Sequence, residues 1–228
     1  MSFELTWIGH AALILETDGY KLLVDPYIRN NPAAKADADT IDADYILVTH
    51  GHGDHVGDTI EIAKRTGATV ISNAEISRWL HKKGVQTHAQ HIGGGFTHPF
   101  GYLKLTMALH GSALPDGSYG GNPAGLLLTT NAGEKIYMAG DTGLFGDMRL
   151  IGEERITLAV IPIGDNYTMG PADALHAVKF LTPEHVIPIH YNTFDLISQD
   201  AEAWAENVRA ETDAQVHLLK PGERFVYP

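Results

Sequence analysis

The stretch His50-Gly-His-Gly-Asp-His55 places four potential metal ligands within six residues. It follows residues 45–48, an apolar run with the composition of a buried strand, and it opens a segment with helical spacing over residues 54–65. A second strand is expected over residues 69–71. The two strands and the helix between them predict the strand–helix–strand unit of a parallel crossover. The stretch therefore lies at a strand end, where functional side chains commonly collect.

The composition of this stretch predicts a metal site. Three of its six residues are histidine, although the whole chain of 228 residues has only 13 histidines. We expect Gly51 and Gly53 to let the backbone turn tightly, so that the neighbouring side chains converge on one point. Imidazole and carboxylate together suit zinc, manganese or iron. The chain has no cysteine, so a transition metal must be bound through nitrogen and oxygen.

The bulk composition limits the class of protein. Hydrophobic residues make up 44% and charged residues 19%, and 228 residues suffice for a single globular domain over residues 1–228. The apolar runs are too short to span a bilayer and the N-terminal stretch lacks the pattern of a signal peptide, which predicts a cytoplasmic protein with no membrane partner. The net charge of −12 disfavours a nucleic-acid partner, because phosphate binding usually needs a basic face. A homo-oligomer is compatible with the sequence.

Segments typical of strands alternate with helical segments in both halves of the chain. The first 25 residues are typical of a three-strand meander, and later strands are expected over residues 102–109, 125–130, 135–139, 157–161, 186–189, 216–219 and 224–227. Further helices are expected over residues 74–82, 171–181 and 200–211. This alternation predicts an α/β fold of four layers, an αββα sandwich in which helices cover two packed sheets.

The pattern His-x-His-x-Asp-His resembles the signature of the metallo-β-lactamase superfamily, in which it follows a strand and opens a helix. The superfamily's other motifs are an Asp after an early strand, then a His, an Asp and a final His, each at a strand end. The matching positions in this chain, in the same order, are Asp25, His110, Asp141 and His190. The resemblance spans nearly the whole chain, and it implies a metallo-β-lactamase-like sandwich and a hydrolase.

The resemblance also implies two adjacent divalent metal ions that share Asp141 as a bridging ligand. Zinc is the first expectation for both ions, with manganese or iron as alternatives. The other ligands fall into two groups of three, one group for each ion: His50, His52 and His110, and Asp54, His55 and His190. A hydroxide between the two metals would attack the substrate. Asp54 would accept a proton from the water, and either His190 or a metal-bound water would serve the leaving group.

Three further residues are candidates for the same site. Asp25 is expected to orient a ligand histidine. His10 would contact the substrate, donate a proton or form a structural hydrogen bond. Asn166 would donate to a substrate oxygen, or its segment merely leads into the helix at 171. The glycine-rich residues 111–125 form either a mobile rim over the metals or an ordinary surface loop.

The departures from individual branches of the superfamily narrow the expected function. The lack of cysteine disfavours lactam cleavage, because the true β-lactamases usually have a cysteine ligand. His52 stands where the di-iron oxygen reductases have Glu, which disfavours that branch. Residues 7–11, 141–143 and 163–171 resemble the small "metal-dependent hydrolases" related to the ascorbate-phosphate lactonases.

The leading hypothesis is therefore hydrolysis of a small, anionic ester, either a phosphodiester or a lactone. An RNA-processing nuclease of the same fold is a second enzyme hypothesis. A domain that binds metal or a metabolite without turnover belongs to another class and also remains open. A single-iron, thiol-dependent oxygenase is the fourth alternative.

Overall fold

Two seven-stranded sheets form the centre of the molecule. The computed structural model describes residues 3–228, so Met1 and Ser2 of the predicted domain lie outside the described residues. The first sheet contains β1 (Phe3–Gly9), β2 (Ala12–Thr17), β3 (Tyr20–Val24), β4 (Tyr45–Leu47), β5 (Thr69–Asn73) and β6 (Thr87–Gln90). The second sheet contains β7 (Gly95–His98), β8 (Gly101–Met107), β9 (Ala124–Thr129), β10 (Lys135–Met138), β11 (Leu158–Pro162), β12 (His185–Ile189) and β13 (Gln215–Val216). The last strand, β14 (Arg224–Tyr227), returns to the first sheet beside β1.

Each sheet is antiparallel on one side and parallel on the other. The first sheet runs in the order β14-β1-β2-β3-β4-β5-β6, and its strands are parallel from β3 onward. The second sheet runs in the order β13-β12-β11-β10-β9-β8-β7, and its strands are parallel from β13 to β10. Parallel neighbours end at the same edge of a sheet, so the loops that follow these strands gather there.

Helices cover the outer faces of both sheets. They are α1 (Gly53–Val56), α2 (Thr59–Thr66), α3 (Ala74–His81), α4 (Met148–Gly152), α5 (Pro171–Leu181) and α6 (Ala201–Glu211), with a 3-10 turn at Asp195–Ile197. Pro171 occupies the first position of α5, where the φ angle fixed by the proline ring suits a helix. The Asn73 side chain caps α3 by accepting a hydrogen bond from the Ile76 amide. The predicted αββα sandwich is therefore confirmed. None of the helices within residues 3–228 has the length and hydrophobicity that crossing a bilayer demands.

Most of the apolar core lies between the two sheets. Leu5 and Leu15 of the first sheet share one buried cluster with Leu103 and Leu128 of the second. All five residues of β11 are buried, as expected for a central strand with neighbours on both sides and layers on both faces. A second cluster packs α2 and α3 against the outer face of the first sheet. These layers hold the strand ends, and so the loops between them, in fixed positions.

The prediction of one helix over residues 54–65 is wrong in one respect, because the structure has two helices there, α1 and α2. Gly57 breaks the helix with φ +41°, and the Asp58 amide donates to the Pro26 carbonyl at 2.8 Å. The Asp58 carboxylate also accepts from the amides of Ile28 and Arg29 at 3.0 and 2.8 Å. These long-range bonds outweigh the local helical preference of the segment.

Two edge strands were not predicted, and a third is shorter than predicted. β6 and β7 have the sequences Thr-His-Ala-Gln and Gly-Phe-Thr-His, which lack a regular alternation of apolar and polar residues. They form because a neighbouring strand offers an unpaired edge, which is information from outside the segment. The strand expected over residues 216–219 contains only Gln215–Val216, and its pairing with β12 ends there.

Candidate metal centre

All the candidate ligands lie at one edge of the sandwich, where strands of both sheets end. The first sheet supplies the histidine-rich motif, which follows β4 and runs into α1. The second sheet supplies His110 after β8, Asp141 after β10 and His190 after β12. The structure therefore brings together residues that are up to 140 positions apart in the chain, from His50 to His190.

The first group of donors consists of three imidazoles. Nε2 of His50 lies 3.0 Å from Nδ1 of His52, and Nε2 of His110 lies 3.2 Å from the same Nδ1 atom. His50 is fully buried, whereas the His110 side chain is 14% exposed. These three residues form one potential metal-binding group, with the composition that the family resemblance implied for the first ion.

The second group gathers around the carboxylate of Asp141. Its Oδ2 atom lies 3.1 Å from Nε2 of His190, 3.3 Å from Nε2 of His55 and 3.5 Å from Nε2 of His110. Oδ2 of Asp54 lies 4.0 Å from Nε2 of His55, and the Asp54 side chain is 37% exposed. Asp141 thus contacts histidines of both groups, as a bridging ligand would.

The contacts in this cluster are not those of a completed hydrogen-bond network. Within residues 3–228, several buried polar atoms lack a hydrogen-bond partner, among them Nε2 of His55, Oδ1 of Asp141 and both ring nitrogens of His190. Such atoms are rare in folded proteins because leaving them unpaired costs free energy. Two ligand atoms, each about 2.1 Å from a tetrahedral ion, are about 3.4 Å apart. The observed separations of 3.0 to 3.5 Å therefore fit nitrogen and oxygen donors arranged for divalent cations.

The clustered groups shift one another's pKa. Burial alone would raise the pKa of Asp141, but the imidazoles of His55 and His190 outweigh it and hold the pKa well below its usual range. Burial would lower the pKa of His55, but the carboxylates of Asp141 and Asp25 raise it well above 6.5. Burial lowers the pKa of His50 well below 6.5, and the neighbouring His55 adds to the effect. Asp141 is thus ionised and His50 neutral near pH 7, the forms in which each binds a cation.

Asp25 lies behind the cluster, where its carboxylate accepts three hydrogen bonds. Oδ2 accepts from Nδ1 of His55 at 2.9 Å and from Oγ1 of Thr49 at 2.6 Å, and Oδ1 accepts from the Thr49 amide at 2.8 Å. The bond to Nδ1 leaves Nε2 of His55 free to face Asp141 at 3.3 Å. This is the position of a carboxylate that fixes the tautomer and the orientation of a ligand histidine.

His10 is buried against the same cluster. Its Nε2 atom lies 3.2 Å from Oδ2 of Asp54, and its Nδ1 atom lies 2.9 Å from Oγ1 of Thr193. Burial lowers the pKa of His10 to about 4, against the raising effect of its hydrogen bond to Asp54. A carboxylate only accepts, so Nε2 donates to Asp54 and Nδ1 accepts from the Thr193 hydroxyl. The contacts therefore connect His10 to a candidate ligand.

Left-handed backbone conformations concentrate at this edge. The φ angles are +57° at His10, +43° at Asp25 and +56° at His190. For residues other than glycine, such conformations cost about 1–3 kcal/mol each and persist mainly at functional sites. The His190 amide also donates to the His10 carbonyl at 3.0 Å, so the two strained turns support each other across the two sheets.

The chain matches known proteins over nearly its whole length. A family model, the β-lactamase superfamily domain, matches residues 20–191. A UPF0173 metal-dependent hydrolase of Desulforamulus reducens is 50% identical over 227 residues, covering 96% of this chain and 98% of that protein. The chain belongs to the UPF0173 family of metal-dependent hydrolases. The resemblance to the metallo-β-lactamase superfamily is confirmed.

Two other proteins agree with this membership. A UPF0173 metal-dependent hydrolase of Thermus thermophilus is 46% identical over 220 residues, covering 96% of this chain and 97% of that protein. The solved structure of Igni18, a metallo hydrolase of the archaeon Ignicoccus hospitalis, superposes with a TM-score of 0.90 at 37% identity and covers 100% of both chains. The UPF0173 chain is therefore a metal-dependent hydrolase, and its His and Asp cluster supplies the candidate metal-binding residues.

The two glycines of the UPF0173 motif do not act as the sequence suggested. Neither Gly51 nor Gly53 has a positive φ, so the segment turns without a left-handed glycine, while the side chains around the two glycines do converge. A Cβ atom at Gly51 would lie 3.0 Å from the Ser112 carbonyl oxygen, whereas a Cβ at Gly53 would have no heavy atom within 4 Å. The Gly51 amide also donates to Oγ of Ser112 at 3.0 Å. Gly51 is therefore needed for the close approach of the segment after His110.

We expect Gly51→Ala to weaken metal binding about tenfold, because the new methyl group displaces the backbone between two candidate ligands. Gly53→Ala is the matched control, since its Cβ meets open space, and its metal affinity should stay within about twofold of the wild type. Competition with a fluorescent chelator measures both affinities. Equal affinities for the two variants would contradict the assigned role of Gly51.

The glycine-rich segment 111–125 of the UPF0173 chain packs beside this motif and is anchored there. Oγ of Ser112 donates to the Gly120 carbonyl at 3.0 Å. Nδ2 of Asn73 donates to the carbonyls of Gly120 and Asn122 at 2.7 and 3.0 Å. Together with the bond from the Gly51 amide to Ser112, these bonds tie the segment to the start of α3 and to the ligand motif. A mobile rim over the metals stays a prediction.

A cavity of about 230 Å³ opens onto the cluster and is lined by His52, Asp54, His110, Asp141, Tyr167 and His190. Tyr167 is the one lining residue that is not a candidate ligand. Asn166, which the sequence singled out in the same loop, is exposed and does not line the cavity, so its contact with substrate stays a prediction. A larger cleft of about 390 Å³ opens beside the turn at Asp18 and Gly19, but no histidine lines it.

Three side chains of this site were not predicted from the sequence, and a fourth, Tyr167, was expected only as part of the loop after residue 163, without a role. Thr49 stands directly before the motif, and that position could have indicated a link to Asp25. Ser112 and Thr193 carry no comparable signal, because serine and threonine are common in loops. Their roles follow only from contacts between segments that are distant in the chain.

Proposed function

We propose that this UPF0173 protein is a binuclear hydrolase of a small, anionic ester, either a phosphodiester or a lactone. The observation that carries the proposal is the cluster of nitrogen and oxygen donors at one edge, in which Asp141 contacts histidines of both proposed groups and buried atoms lack partners within the described residues. His10 lies in the same cluster, close to Asp54, His55 and His190. The residues proposed to hold two divalent cations, zinc first, are His50, His52, Asp54, His55, His110, Asp141 and His190.

Two cations bound there would activate water as a hydroxide nucleophile near neutral pH and polarise the oxygen of the substrate. Asp54 and Asp141 are the only carboxylates among the proposed ligands, so the loaded site keeps an excess of positive charge. That charge attracts an anionic reacting group, although the chain as a whole carries −12. A small-molecule substrate suits a cavity of about 230 Å³.

Asp54 is proposed to accept the proton from the attacking water. Its side chain is 37% exposed and lines the cavity, whereas the side chain of Asp141 is only 3% exposed. The hydrogen bond from Nε2 of His10 to Oδ2 of Asp54 fixes the carboxylate, and Thr193 fixes the imidazole in turn. A carboxylate held in one orientation needs no rearrangement when the proton transfers.

His190 is proposed to donate a proton to the leaving group, because its ring lines the same cavity. Its position is set by β12 and by the bond from its own amide to the His10 carbonyl at 3.0 Å. Asp25 is proposed to orient His55, and Asn166 to approach the substrate from the adjoining loop. For each of these residues, we expect substitution to lower kcat more than it weakens substrate binding.

The test combines metal quantification on gently purified protein with a hydrolase screen. We expect about two divalent cations per chain, and cleavage of bis(p-nitrophenyl) phosphate or of a lactone. Asp54→Ala and His110→Ala should each lower kcat/KM by at least about a hundredfold, since each removes a proposed ligand. Structured RNA should not be cleaved at a comparable rate.

Three results would each point to another function. Cleavage of structured RNA in preference to the small diester would favour a nuclease. One iron per chain with oxygen consumption would favour an oxygenase. A metal-loaded protein that cleaves nothing in the screen but binds a metabolite tightly would be a binding domain.

A further inference from the structure

Three exposed apolar side chains lie on loops at the edge that carries the candidate ligands. Tyr167, in the cavity wall, is 55% exposed. Leu109 directly precedes His110 and is 50% exposed, and Phe194 lies four residues after His190 and is 43% exposed. Single exposed apolar residues are ordinary on a protein surface, but here three separate loops of the same edge each present one. Their common position next to the candidate ligands indicates a shared role.

The loops that carry the candidate ligands also fix these side chains. The Leu109 amide donates to Oγ1 of Thr142 and the Leu109 carbonyl accepts from the Gly143 amide, both at 3.0 Å. The ring of Phe194 lies edge-on to the ring of His10, with their centroids 5.7 Å apart. The apolar side chains are thus held beside the reacting centre at defined places.

The same edge of the molecule offers almost no cationic side chain. Lysine and arginine are absent from the five main segments of this edge: 48–58, 108–123, 139–147, 163–170 and 190–200. Arg29, in the neighbouring loop, is bound to both carboxylate oxygens of Asp39 at 2.8 and 3.1 Å. Asp165 and Asp195 are exposed in these segments and would repel an anion. Lys35, further along the same loop, is exposed and lies beside Gly222. Within the five segments, a negative group placed away from the cations would therefore find no cationic partner.

We infer that the substrate carries an uncharged, apolar substituent and no anionic group other than the one at the scissile bond. This inference rests on the proposed hydrolase function and adds the class of substituent to it. While the scissile group meets the candidate ligands, the substituent packs against Tyr167, Leu109 and Phe194. An aromatic substituent should bind most tightly, because two of these three residues are aromatic and offer the faces or edges of their rings.

The test compares three diesters that react at the same anionic phosphorus: the phenyl, methyl and 2-carboxyethyl p-nitrophenyl phosphates. In each case water forms a bond to phosphorus, the bond to p-nitrophenolate breaks, and the phosphate monoester is the other product. We expect kcat/KM for the phenyl ester to exceed that for the methyl ester at least about tenfold, because the ring buries apolar surface. The carboxyethyl ester should be the poorest substrate.

Two rim variants locate the effect. Tyr167→Ser and Leu109→Asn should each lower kcat/KM for the phenyl ester about tenfold, mainly through KM, and change the value for the methyl ester less than about twofold. Leu150→Asn is the matched control, since Leu150 is 60% exposed but lies on α4, whereas Leu109 lies next to the candidate ligand His110. Thermal midpoints equal to that of the wild type would show that the variants fold.

A binding measurement separates this inference from the proposed function. Calorimetry on the metal-loaded protein should show phenylphosphonate binding about tenfold more tightly than methylphosphonate. Equal binding, equal cleavage of the phenyl and methyl esters, or preference for the carboxyethyl ester would overturn the inference. If neither the three diesters nor a lactone is cleaved, the proposed function fails, and the phosphonate comparison still decides the inference.

Discussion

Asp141→Asn should lower kcat/KM by at least about a thousandfold and should reduce the metal content of the purified protein, because its carboxylate is proposed to bind both cations. Oδ2 of Asp141 lies within 3.5 Å of Nε2 atoms of His55, His110 and His190. Asparagine has the same shape as aspartate but no negative charge. Its amide group also replaces one of the two carboxylate oxygens by a nitrogen that does not bind a cation. Elemental analysis and steady-state kinetics on the same preparation measure both effects.

Asp147→Asn is the matched control for this substitution. Asp147 also follows β10, is exposed, and makes no side-chain bond to the start of α4. Its metal content and kcat/KM should equal those of the wild type. If Asp141→Asn kept both its metal and its activity, the bridging assignment would be wrong.

Gly57→Ala should lower the free energy of unfolding by about 3 kcal/mol or more, with little soluble protein at 37 °C. Gly57 has φ +41°, and a Cβ there would collide with the Pro26 carbonyl oxygen and lie 2.7 Å from Cα of Tyr27. All of these neighbours are backbone atoms, so no side chain can rotate away. Chemical unfolding measures the change in the free energy of unfolding.

Gly67→Ala separates the two causes of this loss. Gly67 ends α2 with φ +77°, but a Cβ there would have no heavy atom within 4 Å. It should cost only about 1 kcal/mol, the penalty for a left-handed alanine alone. Similar losses for both variants would show that the backbone at residues 26–27 gives way, and would contradict the proposed collision.

The layers of the fold and the members of the site could be predicted because their signals are local or repeated. Apolar strand segments such as residues 158–162 carry their own pattern, and so does the motif from His50 to His55. Asp25, His110, Asp141 and His190 were predicted because the resemblance to the superfamily implies an Asp, a His, an Asp and a His at successive strand ends, and these residues match that order. The structure places all of these residues at one edge, although their roles as ligands stay a prediction.

What could not be predicted depends on contacts between distant segments. The break at Gly57 follows from the position of Pro26, and the need for glycine at position 51 follows from the position of Ser112. The strands β6 and β7 form only because a neighbour pairs with them. No pattern within any of these segments reports what will pack against it.

The division of the candidate ligands between the two sheets has a consequence for the order of folding. Each group of three takes two members from the His50–His55 motif and one from the second sheet, either His110 or His190. A folding intermediate with only the first sheet formed would therefore hold a cation with at most two side chains of a group. A cation can therefore bind tightly only after the two sheets have docked. The moment at which metal affinity appears during refolding would report when the sheets dock.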